Sequence, residues 1–341
     1  MADEATGPSR RATIREVAEA AGVSRSTTSR ALTGTGYVAE AVRLRVRRAA
    51  ADLGYVVDAT ARSLKQQSSN VIGVVVSDLR NSFYADLAFG AGQRAREAGY
   101  TMMLIDDGGN ADDELDAAHA FVAARVAGVI ATPVASGTSE FFTRQRIPIV
   151  EVDRQFAEGS CDAVIVDNRS AARATTEHLL SLSHRRIALF IDETEWTTGR
   201  DRHEGYADAL AAAGIAHDEK LVVSAGWDVR AAHDAAVRLL SSPDRPTAIF
   251  AANNLLAEGV WRAAAQLSLD VPTDLSLVSF DDAPWMSMVT PGVTAITQDA
   301  VQLGATAVTT LLERIADPDA PNRVVVLPAT ITRRGSTARP R

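Results

Sequence analysis

A chain of 341 residues exceeds one ordinary domain and fits a small domain followed by a larger two-lobed one. With 46% hydrophobic and 23% charged residues it has material for buried cores; no apolar run approaches the ~18 to 20 residues of a membrane span, and its one cysteine, Cys161, excludes an intrachain disulfide framework and fits a reducing compartment. The net charge of −8 divides unevenly: residues 1–69 hold eleven Lys and Arg against seven Asp and Glu (+4), and the rest carries −12, so a basic head suited to phosphates sits on an acidic body.

Residues 1–12 are small, polar and charged and read as a disordered arm; they lack the apolar stretch of a secretory signal, which points to the cytoplasm. Thr13 is placed to cap a helix whose apolar residues Ile14, Val17, Ala18 and Ala21 recur with helical spacing, and Gly22 ends it. Ser24 caps a second helix from Arg25 to about Thr33, broken by Gly34 and Gly36. A third carries Val42, Val46, Ala49 and Leu53 on one stripe and closes at Gly54. On a helical wheel the second helix gathers Arg25, Ser26, Ser29 and Arg30 on one face, with Thr28, Ala31 and Leu32 behind. Arginine can bond guanine O6 and N7 with two parallel donors, and serine serves a base edge or a phosphate.

From Asn70 the texture changes to short β-branched runs alternating with helical stretches. Strands are predicted at Val71–Ser77, Thr101–Ile105, Gly128–Ala131, Ile147–Val152 and Ala163–Val166, then at Arg186–Ile191, Leu221–Ser224, Thr247–Ala252, Leu275–Phe280 and Val293–Thr297. Helices are predicted at 83–98, 112–125, 169–182, 200–213, 229–241, 253–267 and 299–316. This alternation implies parallel sheets covered on both faces, and ten strands suit two sheets better than one. The predicted fold class is therefore an all-α helix-turn-helix head plus an α/β core of two doubly wound parallel-sheet subdomains. Ligands of such sheets sit beyond the carboxyl ends of the strands.

The run Thr13 to Leu32, TIREVAEAAGVSRSTTSRAL, followed by Gly36-Tyr37-Val38, Leu53-Gly54-Tyr55 and Ala61-Arg62-Ser63-Leu64, resembles the N-terminal signature of the LacI/GalR family of bacterial repressors. The resemblance implies that Arg25, Ser26 and Arg30 read bases in the major groove, and that Thr13, Ser24, Thr27, Ser29 and Tyr55 contact the DNA backbone. It implies that Leu64, in a hinge helix over about 59–65, wedges into the minor groove beside its dimer mate. A helix of two turns is marginal alone, so the hinge is expected to be helical only when paired on DNA. Three departures from the pattern stand here: Thr28 for Val, Ala39 for a Ser cap, and Val57-Asp58 for Pro-Asn. The head is thus assigned to 13–57 and the hinge and linker to 58–69.

The resemblance continues through Asn81-Ser82-Phe83-Tyr84, Val152-Asp153-Arg154, Val166-Asp167-Asn168, Arg202-x-x-Gly205-Tyr206, Phe280-Asp281-Asp282 and Thr297-Gln298, with Ser183 for Gly, Asn254 for Asp and Asp299 for Pro. It implies a periplasmic-binding-protein-like core over 70–334, with an N-subdomain at about 70–165 and 298–325, a C-subdomain at about 166–297 and 326–334, and a tail at 335–341. The cleft between them would be lined by Phe83, Asp153, Arg202, Trp227, Asn253, Asp281 and Gln298. Carboxylates and amides bond hydroxyls, a guanidinium offers a planar fork of donors, and an aromatic face takes a sugar ring. No nucleophile elbow, P-loop, metal-ligand spacing or cofactor motif occurs, and His178 and His184 read as packing and loop residues. The expectation is a homodimeric repressor, not an enzyme, that binds a pseudo-palindromic double-stranded operator under control of a sugar or sugar derivative. A dimer is expected because no leucine heptads follow Arg334. A sugar-transport binding protein shares the bilobal architecture but has no use for a basic helical head.

Overall fold

The hydroxyl of Thr13 and the carboxylate of Glu16 close a reciprocal capping box that starts the first helix, α1 (Ile14–Ala21), and Gly22 stops it in the left-handed conformation at φ 64°. A computed structural model describes residues 12–34, 36–55, 69–156, 159–192, 194 and 196–341. Contacts divide the chain into two units, Met1–Ser69 and Asn70–Arg341.

In the first unit, Ser24 caps α2 (Arg25–Thr33) by accepting from the Thr27 amide, and α3 (Glu40–Asp52) begins at Ala39 without a side-chain cap. Val17, Ala21, Ala31, Val38, Val46 and Ala50 form the core where the three helices meet. Leu53 does not join it, contrary to the stripe read from the sequence. The helix ends at Asp52, the chain turns through Gly54, and Tyr55 returns onto the core, which leaves Leu53 42% exposed. Residues 1–11 of the expected arm (1–12) and residues 58–68 of the expected hinge and linker (58–69), Leu64 among them, lie outside the described residues.

The second unit runs β1 (Val71–Val76), α4 (Ser82–Glu97), β2 (Thr101–Asp106), α5 (Ala111–Ala124), β3 (Val129–Ala131), α6 (Thr138–Arg144), β4 (Ile149–Val152) and β5 (Asp162–Val166). It continues with α7 (Asn168–Ser181), β6 (Ile187–Ile191), α8 (Thr197–Ala212), β7 (Val222–Ser224), α9 (Val229–Leu240), β8 (Ala248–Ala251), α10 (Asn254–Gln266) and β9 (Ser276–Phe280). It ends with α11 (Trp285–Met288), β10 (Thr294–Gln298), α12 (Ala300–Ala316), β11 (Val324–Leu327) and β12 (Ala329–Thr332). One sheet has the order β11-β5-β4-β3-β1-β2 and is parallel throughout; the other is β12-β10-β9-β8-β6-β7, parallel except that β12 runs against β10. The interior strands are buried, mostly apolar runs, as sheets covered on both faces require, and the edge strands β2, β7, β11 and β12 are partly exposed.

The chain passes between the sheets at Asp167, Asp299 and Pro328, so the boundaries read from the sequence at 165, 297 and 325 fall one to three residues early. Strands β11 and β12 and helices α6 and α11 were not among the predicted elements. Nor is the segment from 335 a loose tail. Ser336 is fully buried, its carbonyl accepts from the Leu277 amide, and its hydroxyl donates to the Leu277 carbonyl, which extends the packing of β9.

Glycines set the closest helix contact. A Cβ on Gly90 would lie 2.0 Å from the Val301 carbonyl oxygen, and one on Gly304 2.0 Å from that of Leu87, so α4 and α12 touch backbone to backbone. Gly304→Ala should force them apart and lower stability by about 1–3 kcal/mol, read as a lower urea midpoint. An unchanged midpoint would mean that the helices have room to slide.

Candidate functional site

The first candidate site is the outer face of α2. Thr28 and Ala31 anchor the helix in the core, and with these inward Arg25, Ser26 and Arg30 are exposed together while Ser29 is half-buried. The Ser24 hydroxyl lies 2.9 Å from those of both Ser26 and Thr27, and Arg30 Nε points back to the Ser26 carbonyl at 3.4 Å. The guanidinia of Arg25 and Arg30 make no ion pair among the described residues. Thr13 and Ser24 serve as helix caps, and Tyr55 packs against the head core. Tyr37, 91% exposed, is a further large side chain on this unit that the sequence reading did not single out.

The second candidate site lies beyond the carboxyl ends of strands from both sheets. β4 leads to Asp153, β6 to Asp192, β8 to Asn253 and β9 to Asp281; α4 contributes Phe83 and Tyr84, and α8 contributes Thr198 and Arg202. Phe83, Asp153, Arg202, Trp227, Asn253 and Asp281, six of the seven side chains expected in a cleft, line one cavity of about 20 Å³. That is space for about one water, so a ring-sized ligand enters only as the lobes part. Gln298, the seventh, lines a second opening and donates from Nε2 to the Asp281 carboxylate.

Asp153 and Asp281 take left-handed backbone conformations, φ 72° and 64°, each directly after a strand of a different sheet. Aspartate tolerates this region better than most residues, and such backbone concentrates at ligand sites. Arg202 donates from Nε to Asn168 at 2.8 Å and from Nη1 to the Ala252 carbonyl at 2.6 Å, with its guanidinium 3.6 Å from the Phe280 ring centroid. Asn253 caps α10 and donates from Nδ2 to Asp192. Burial pushes the Asp153 carboxyl up to about 6 against the pull of Arg154 and Arg202, and burial likewise raises Asp192 and Asp281.

Besides Asn81, Tyr84 and Thr198, three residues of the cleft and its wall were given no site role in the sequence reading. Arg154, fully buried, is held between Trp196 and Trp227, with Cζ 4.2 and 4.8 Å from their ring centroids. It donates to the Pro133 and Thr132 carbonyls, the Ser77 hydroxyl and the Tyr84 phenol. Trp227 stacks on Tyr84 at 5.9 Å and meets Trp196 edge to face at 5.2 Å, so the two indoles, the phenol and the guanidinium form one wall. Asp192, the third, follows an apolar strand, and that position was its only sequence signal.

Between the openings, Asn81 and Asn254 pair reciprocally across the two lobes, with amide-to-oxygen distances of 3.2 and 2.8 Å. A carboxylate at 254 could only accept and would lose one of these bonds. His184 bonds Thr247, Ser276 and the Ala338 carbonyl, and His178 bonds Thr337. Among the described residues no His, Cys, Asp or Glu cluster could hold a metal ion, and no helix is long and apolar enough to cross a membrane.

Comparison with known proteins gives matches in both units. Residues 13–58 match the family of bacterial regulatory proteins, lacI family, and residues 176–337 match the periplasmic binding protein-like domain. The ribose operon repressor of Escherichia coli strain K12 is 31% identical over 328 residues, 95% of this chain and 99% of the relative. The HTH-type transcriptional repressor PurR of Photobacterium profundum is 31% identical over 316 residues, 92% of this chain and 95% of its own length. Among solved structures, the lac repressor dimer bound to operator and the anti-inducer ONPF is similar with a TM-score of 0.87 at 26% identity, covering 96% of this chain and 100% of that one. The transcriptional regulator CelR–cellobiose complex is similar with a TM-score of 0.73 at 28% identity, over 96% and 100% of the two chains.

Proposed function

The chain belongs to the lacI family of bacterial regulatory proteins, and from that premise we propose that it is a cytoplasmic, homodimeric transcriptional repressor whose hold on a pseudo-palindromic operator is set by a sugar or sugar derivative. In each protomer Arg25, Ser26 and Arg30 read base edges, while Thr13, Ser24, Thr27, Ser29 and Tyr55 meet phosphates and sugars of the DNA backbone. Leu64 enters the minor groove as one of a pair. The sugar binds between the lobes of the core against Phe83, Asp153, Arg202, Trp227, Asn253, Asp281 and Gln298, and the protein has no catalytic step of its own.

The observation that carries this reading is the convergence of acceptors, a guanidinium and aromatic faces from two sheets on one cavity. A ligand held by both lobes favours one lobe arrangement, and its differential affinity for the two arrangements is the free energy available to change operator binding. Release of the operator is the expected sign.

The test measures binding of duplex DNA from around the protein's own gene, with and without sugars that raise its melting temperature. Asp281→Ala or Arg202→Ala should abolish the sugar response while each variant still shifts the operator. A dose-response curve identical to wild type would remove this cleft from effector binding.

A further inference from the structure

Resting on the reading of the cleft as the effector site, we propose that its effector is an uncharged, unphosphorylated sugar and that Asp192 selects it by accepting one of its hydroxyls. Asp192 is 2% exposed at the end of β6. One carboxylate oxygen, Oδ2, accepts from Asn253 Nδ2 at 3.2 Å; the other, Oδ1, is buried and has no hydrogen-bond partner among the described residues. Buried carboxylate oxygens normally find donors, and one without a partner on the wall of a cavity between two lobes marks where a ligand donor belongs as the lobes part. Trp227 supplies the converse: its Nε1 is buried on the cavity wall and meets no acceptor. A hydroxyl both donates and accepts, so adjacent hydroxyls of one sugar satisfy Asp192 and Trp227 together.

Charge excludes the anionic relatives of such a ligand. Three carboxylates line the cavity, Asp153, Asp192 and Asp281, against two guanidinia, that of Arg202 on its wall and that of Arg154 packed on the indoles. The second opening is lined by Asp86, Asp281 and Asp282 and by no Lys or Arg. A phosphate would meet like charge in both places, and it would do so where low dielectric makes repulsion strong. One feature favours an anion: α8 begins at Thr197 without a side-chain cap, beside Thr198 on the wall. A helix N-terminus carries about half a positive charge, too little against three carboxylates. An ammonium group is disfavoured in turn because Arg154 and Arg202 already place two cations beside these acids.

The experiment is calorimetric titration of the full-length protein with ribose, glucose, galactose and cellobiose, with ribose 5-phosphate and glucose 6-phosphate, and with glucosamine. Binding is expected from the uncharged sugars alone. Asp192→Ala should weaken the best of them by about 10- to 100-fold, the value of a hydrogen bond to a charged group. Asp192→Asn, which keeps shape and one acceptor, guards against a folding defect and should show a smaller loss of the same sugar. Wild-type affinity in both variants overturns the role of Asp192. A phosphorylated or amino sugar that binds more tightly than its neutral parent overturns the proposal while leaving the effector cleft in place. Binding of no sugar by the wild type overturns the cleft reading and this inference with it.

Discussion

Arg30→Ala is expected to weaken binding of the cognate operator by about 30- to 10⁴-fold while affinity for unrelated duplex falls little. One two-donor contact between arginine and guanine discriminates by about 1–3 kcal/mol, and a dimer loses two of them. The geometry of α2 supports this division. Thr28 and Ala31 are fully buried, Ser24 and Gly34 fix the two ends, and Arg30 stands on the opposite, exposed face. Its stem passes Gly36, where an added Cβ would come within 3.4 Å of Arg30 Cδ. Removing the side chain therefore leaves the helix and its core contacts intact, and the loss reads on recognition rather than folding. Arg30→Lys should not rescue, because a single ammonium cannot reproduce the planar fork. Equal losses on cognate and unrelated DNA, measured at one fixed salt concentration, would assign Arg30 to phosphate contact instead.

The head was largely legible because its signals are local. Thr13 with Glu16, Ser24, Gly22 and Gly34 are cap residues whose chemistry acts within four residues, and each sits at a helix end. Leu53 was misread because its spacing continues the stripe, whereas the turn at Gly54 that brings Tyr55 onto the core is a tertiary event. In the core, all ten predicted strands form; most are buried apolar runs, and the edge strands β2 and β7 are partly exposed. β11 and β12 escaped because Pro328 interrupts what reads as one run, and their residues are half exposed at sheet edges. Asp153, Asn253 and Asp281 lie together since each follows a strand at the carboxyl side of a sheet, and Phe83 opens α4; Arg202 joins them from the second turn of α8 and Trp227 from the loop before α9. Asp192, Trp196 and Arg154 also follow a strand or precede a helix, a position that by itself assigns no role. Their meaning depends on which side chains face them from the other lobe, and spacing along one chain does not contain that information.

Arg154→Ala is expected to cost about 3–5 kcal/mol of stability and to abolish the effector response together. The guanidinium is fully buried, and it satisfies the Ser77 hydroxyl, the Tyr84 phenol and the carbonyls of Thr132 and Pro133. Its removal strands several of these at once, and breaking a buried charged network ranks among the largest single-residue effects. Trp196 and Trp227 each lose the cation packed on their rings, so the indole that stacks on Tyr84 loses one of its supports. The cation is also the leading attraction offsetting the burial of Asp153, so its loss drives that carboxyl further up and strips the cleft of a charged acceptor near neutral pH. Arg154→Lys should recover part of the stability, because an ammonium can still reach two or three of the acceptors. It should not recover the response, because a single ammonium cannot pack a planar group on both indoles while holding the same acceptors. The readouts are the urea midpoint and tryptophan fluorescence with and without sugar. A wild-type midpoint in Arg154→Ala, with the fluorescence response kept, would show that the indoles hold their positions without it.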